Sequence, residues 1–314
     1  MCADASPYER LQRASGHLVI TWRDRDGTTA LADLRQEGCL KARFPRPTGW
    51  SEAVMLNTSG GIAGGDRLAI DLALGENTRA TFTAQAAERF YHARPGDPPA
   101  TVQTRLTLAA NSAAEWLPQE SILFDRCALH RTLDVDMAET ASFLGVETLI
   151  FGRALMGETV HTARLRDTIR IRRAGKLILH DAIRLDGEVA PILAQRAATN
   201  GAIATATLIH VAPNAPAHLE ALRAAWENAP AEAAASTWNN MLIGRIVAPD
   251  SATMRTHFTG IATACRAPVL CSAAVQLISL APLMRRKLRQ RRPSICPVPS
   301  SIRVFRQQRS LAEL

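Results

Sequence analysis

The chain has 314 residues, 47% of them apolar and 21% charged, with a net charge of +8. That length buries a large core, and the ordinary apolar content marks a globular, soluble protein of one large domain or two small ones. The charge does not indicate a nucleic-acid groove, which would spread its basic residues over the fold: from Leu283 onward nine Arg or Lys face one acid, Glu313, and this segment holds the whole surplus.

The first residues, MCADASPYERLQ, show no basic segment leading into an apolar run, so no secretory signal is expected. Six cysteines (Cys2, Cys39, Cys127, Cys265, Cys271, Cys296) are scattered without a C-x-x-C, as free thiols of a reducing compartment would be. The eight histidines form no H-E-x-x-H or H-x-x-x-H pair, which argues against a zincin-like metal centre. A cytoplasmic location is expected.

In chain order, residues 1–16 read as an N-terminal extension. From residue 17 to about 200 the pattern is strand after strand. HLVITWRD, EAVMLNT, DRLAIDLAL, RATFTAQA, TVQTRLTLAA and TIRIRRAGKLILHDAIRL alternate apolar with polar residues, and DGT, GGDR, PGDPP and RAGK mark turns between them. The expected class is mainly β: sheets packed on one another or coiled into a β-helix-like solenoid. A helical portion is expected over 213–267. Leu219, Leu222 and Trp226 have helical spacing within Ala215–Ala229, with Pro230 as the stop. A second helix is expected from Ser251 as N-cap, with Met254, Phe258, Ile261 and Cys265 on one face. TWNNMLIGRIVAPD between them reads as a strand. The uncharged run Ala267–Met284, followed by RRKLRQRR, resembles a membrane span with a positive flank. It is only about the minimum length and contains Ser272, Gln276 and two prolines, so no membrane span is expected.

The segment SGGIAGGDRLAI (59–70) has glycines at P-loop spacing, but Asp66 and Arg67 stand where a phosphate loop needs Lys and Ser/Thr. It also lacks G-x-G-x-x-G and leads into a strand rather than a helix. A tight turn explains its glycines and leaves Asp66 unexplained.

No G-x-S-x-G elbow or Cys–His constellation is present, so interest moves to the acids. Glu147 lies within SFLGVETLIFG and Asp181 within LILHDAIRL, both almost wholly apolar. A buried carboxylate must be paired, protonated or bound to a cation. Two readings stay open: pairing with an arginine such as Arg153 or Arg184, or a line of acids along an internal water-filled path that holds a divalent ion transiently.

Several motifs together resemble one family, the urease accessory proteins UreD (UreH). They are QEGCLKARFPR (36–46), LNTSGGIAGGDRL (56–68), TAQAAERFYHA (83–93), AEWLPQESILFD (114–125), FGRALMGE (151–158), RRAGKLILHDAIRLDG (172–187) and STWNNMLIGRIVAPD near 240. The likeness runs in order from about 15 to 265, defining a UreD-like domain over 17–267. It implies a non-enzymatic scaffold with a solenoid-like β body and helices near the C-terminus. It also implies binding to UreF, recruitment of UreG, docking on apo-urease, nickel insertion through an internal tunnel, and a dimer within the accessory complex. By motif, Asp66, Glu147, Glu158 and Asp181 are the acids placed on that transient nickel path, with no permanently bound cofactor. The competing reading is a carboxylate-dependent hydrolase on a β-solenoid. Beyond Ala267 the likeness stops: residues 268–314 are rich in Arg, Pro and Ser, with no acid until Glu313, and read as a disordered basic extension or the product of a shifted reading frame.

Overall fold

The computed structural model describes residues 12–47, 49–153, 156–228 and 230–256. The chain opens with β1 (Ser15–Arg25), β2 (Thr28–Gly38), β3 (Leu40–Arg43) and β4 (Ser51–Asn57). It continues through β5 (Arg67–Leu74), β6 (Arg79–Ala84), β7 (Glu88–Phe90), β8 (Ala100–Leu108), β9 (Ala113–Leu117) and β10 (Ser121–Leu123). Next come β11 (Ala128–Met137), β12 (Ser142–Phe151), β13 (Thr162–Arg173) and β14 (Lys176–Glu188), then the single turn α1 (Ala190–Leu193). β15 (Ala204–Val211), α2 (Leu219–Trp226), β16 (Glu232–Trp238) and β17 (Met241–Ala248) complete the set.

Two mixed sheets result. The first runs β14-β13-β11-β8-β5-β1-β2 and the second β16-β17-β15-β12-β9-β6-β4-β3, with short β10 paired to β12 and β7. From β5 to β13 the long strands alternate between the two sheets. In the first sheet β5, β8, β11 and β13 lie parallel, as do β6, β9 and β12 in the second. Alternating side chains then give each strand one face toward the other sheet. Leu18, Leu72 and Leu165 of the first sheet join Phe82, Trp116 and Phe143 of the second in one buried cluster.

The mainly β expectation is met. A solenoid is not established, because antiparallel strands border the parallel centre of each sheet: β2 and β14 in the first, β3 and β15 to β17 in the second. A helical C-terminal portion is not supported either. Residues 213–256 contribute β16 and β17 to the second sheet, and their helices are short. The spacing of Leu219, Leu222 and Trp226 does give a helix, but its first turn, Ala215–His218, is 3-10. α2 seats Leu222 and Trp226 against the outer face of the second sheet, where a Cβ at Gly244 would come within 2.5 Å of the Trp226 ring. Residues 251–256 are helical, and the cap is Asp250 rather than Ser251: Thr253 N–H donates to Asp250 Oδ1 at 2.7 Å. Phe258, Ile261, Cys265, the run Ala267–Met284 and the basic tail lie outside the described residues. Among the described residues no helix is long and apolar enough to cross a membrane.

Candidate functional site

The inward-facing positions of β11 read Leu129, Arg131, Leu133, Val135, and those of β13 read Leu165, Asp167, Ile169, Ile171. Each strand therefore places one charged residue in an apolar slot. The parallel register sets Arg131 beside Asp167. Arg131 Nε donates to Asp167 Oδ1 at 2.9 Å and Nη2 to Oδ2 at 2.5 Å, a two-pronged grip. Its Nη1 reaches across to the second sheet, 2.7 Å from Glu147 Oε2, and donates to Ser121 Oγ at 2.8 Å. Trp116 on β9 donates its indole N–H to Glu147 Oε1 at 2.6 Å.

The facing strands of the second sheet carry the lane onward. Glu147 is in register with Thr207, and Thr207 with Arg245. Arg245 donates to Thr207 Oγ1 at 2.6 Å and to Asp181 Oδ1 on β14 at 2.5 Å. His180 and Asp181 face opposite ways, as adjacent strand residues must. Glu147 and Asp181 are thus both ion-paired, with Arg131 and Arg245 rather than the expected Arg153 or Arg184. Arg131 comes from the strand just before that of Glu147, on the other sheet, while Arg245 lies 64 residues from Asp181.

Three spaces follow this lane, the first and last of them partly open to solvent. A cavity of about 230 Å³ is lined by Asn57, Gly60, Gly61, Glu88, Arg131 and Glu147, among others. A void of about 10 Å³ follows, lined by Arg131, Glu147, Asp167, Asp181 and Thr207. A space of about 530 Å³ shares Ile183 and residues 205–207 with that void and adds Arg245. The first is roomy enough for several waters, while the void holds about one.

Burial works against the charge of Arg131, but Asp167 and Glu147 overcome it and hold its proton above the ordinary arginine range. Burial pushes the Glu147 carboxyl up; Arg131 pulls it back, and Asp167, competing for the same guanidinium, pushes it up again. The cluster has two acids for one base.

The other two expected acids sit elsewhere. Asp66 is buried, but its Oδ1 accepts from Ala14 N–H at 2.8 Å and its Oδ2 from Ala63 N–H at 2.7 Å. It ties the glycine loop to the start of β1 and is absent from the walls of these three spaces. The loop's glycines meet a backbone need: Gly61 has φ +141°, and a Cβ there would strike the Tyr91 ring. Glu158 pairs with Arg153 Nε at 2.6 Å in a turn after β12, where the Arg153 guanidinium lies 4.2 Å from the centre of the Phe124 ring. It too is absent from those walls. The sequence reading missed Arg131, Asp167, Trp116, Thr207 and Arg245; for Arg131 and Asp167 the signal was a charged residue in an apolar slot of an alternating strand. Among the described residues no three His, Cys, Asp or Glu side chains converge on a point that could hold a metal ion.

The family described as UreD urease accessory protein matches residues 14–278, past the Ala267 boundary of the sequence likeness. The urease accessory protein UreD of Rhodopseudomonas palustris (strain BisB18) is 41% identical over 250 residues, covering 79% of this chain and 89% of that protein. UreD of Xanthobacter autotrophicus (strain ATCC BAA-1158 / Py2) is 43% identical over 264 residues, 83% of this chain and 91% of that protein. UreD of Sinorhizobium medicae (strain WSM419) is 44% identical over 248 residues, 78% of this chain and 89% of that protein. The family is named for an accessory role, not a catalytic one. This chain therefore belongs to the UreD family of urease accessory proteins, with a role in urease maturation.

Proposed function

We propose that the chain is a cytoplasmic scaffold for nickel insertion into apo-urease, working with UreF and UreG, and that the lane between its sheets is a transient route for the metal. The observation that carries this reading is adjacency: three spaces share lining residues in series, Glu147 borders the first and the second, and Asp181 borders the second. Isolated oxygen donors without a Cys or His cage bind a borderline divalent ion loosely enough to release it. Glu147 and Asp181 are the stations of the route. Asp66 acts indirectly, by fixing the loop whose Gly60 and Gly61 line the first cavity. Glu158 holds its own turn. The hydrolase reading loses its basis, because Glu147, Asp181 and Glu158 each face a guanidinium instead of standing free to exchange a proton with a substrate.

The test is co-expression of the urease genes with Glu147→Gln and Asp181→Asn variants. Urease activity is expected to fall severalfold while UreF, UreG and apo-urease still co-purify with the variant. Loss of that complex in step with activity would assign both acids a purely structural role.

A further inference from the structure

Arg131 stands between the larger cavity and the small void. It and Glu147 line both the 230 Å³ cavity and the 10 Å³ void, so the ion cluster divides the wide space from the space that holds about one water. The guanidinium stands between carboxylates from two sheets, with Glu147 on one side and Asp167 on the other. This is the position a divalent ion would take if two carboxylates were to share it. Arginine does not lose its charge, so it cannot step aside by deprotonation. It can only be displaced. The 230 Å³ cavity beside it offers somewhere to go: Ser121, already an acceptor for Nη1, lines that space together with Glu88.

We infer that Arg131 is a tethered stand-in for the travelling cation, holding the place between Glu147 and Asp167 so that nickel passes only by displacing it and cannot stay. The inference rests on the nickel-route reading above. It accounts for two buried acids that do not form a permanent site. With the guanidinium present, each metal–carboxylate contact is made at the expense of an ion pair, and the returning side chain expels the metal. Without it, the pair becomes a trap. Asp181 and Arg245 form a second acid–guanidinium pair one station further, in a more exposed setting, with the Thr207 hydroxyl where a second carboxylate would stand.

The experiment compares full-length wild type, Arg131→Gln and Arg131→Gln/Asp167→Asn, by equilibrium dialysis against Ni²⁺ and by thermal unfolding with and without Ni²⁺. Arg131→Gln is expected to retain about one Ni²⁺ more per chain than wild type and to melt higher when nickel is added. The added Asp167→Asn should abolish both effects. A folded Arg131→Gln that binds no more nickel than wild type overturns the inference. Should Arg131→Gln fail to fold, Arg131→Lys keeps the charge but grips one carboxylate less firmly. Its nickel uptake must then exceed wild type, and equal uptake overturns the inference. The two readings fail separately. Trapping with unimpaired urease activation would support the displaceable arginine and refute the route. Absent trapping, with activation still lost in Glu147→Gln, would refute the arginine's role and leave the route standing.

Discussion

Glu115 and Trp116 are neighbours on β9, and they face different surroundings. Trp116 points between the sheets and donates to Glu147, which is paired with the Arg131 guanidinium. Glu115 points to the outer face of the second sheet, where it is 2% exposed and, among the described residues, receives only the Thr81 hydroxyl, at 2.6 Å. Burial, with the charge of Glu52 adding to it, pushes its carboxyl up to about 7. Both acids are buried, yet one is paired with an arginine while burial raises the carboxyl of the other. What separates them is whether a cation reaches them, not depth. Among the described residues, Glu147, Asp167 and Asp181 border the small void between the sheets, so it is there that the proposed route gives the choice of counter-ion a consequence.

Arg131 carries the largest expected effect. Arg131→Met leaves Glu147 and Asp167 facing each other without a base, and breaking such a buried pair costs about 3–5 kcal/mol. Urea denaturation should show that loss, and adding Glu147→Gln and Asp167→Asn should return most of it. A loss under about 1 kcal/mol would mean the lane is solvated like a surface pair. Glu115 gives a smaller effect with a defined sign. Its folded-state carboxyl lies above its ordinary value of 4.5, so the stability it contributes is complete below pH 4.5 and fades as the pH rises through about 7. Relative to Glu115→Gln, wild type should weaken by on the order of 2 kcal/mol between pH 4.5 and pH 8. Parallel stability curves for the two would show that a cation reaches Glu115 after all. The smallest effect belongs to Glu158, whose Arg153 partner is 42% exposed. Glu158→Gln should cost less than about 1 kcal/mol in the same denaturation assay. A larger loss would place Glu158 with the lane acids.

Much of this was written in local pattern. The alternation in DRLAIDLAL and TVQTRLTLAA became β5 and β8, and the spacing of Leu219, Leu222 and Trp226 became α2, because period and side-chain direction are local properties. Glu147 and Asp181 announced themselves as acids in apolar runs. Their partners did not. The Asp181–Arg245 pair spans 64 residues and depends on the register of four strands, and Arg131 meets Glu147 only because successive strands alternate between sheets. Asp66 shows the same limit. The glycines around it point to a tight turn, but its hold on Ala14 is set by a contact 52 residues away. Likewise, the strand expected in TWNNMLIGRIVAPD became β17, but nothing local foretold β16 or the joining of both to the second sheet, since they are ordered by pairing with each other and with β15.

The central claim is that the lane carries nickel and the acids outside it do not. The most direct measurement is the nickel content of urease purified from cells co-expressing the accessory proteins with either Glu147→Gln or Glu158→Gln. The account predicts nickel-poor urease from Glu147→Gln and normally loaded urease from Glu158→Gln, with the accessory complex intact in both. Fully loaded urease from Glu147→Gln would contradict it.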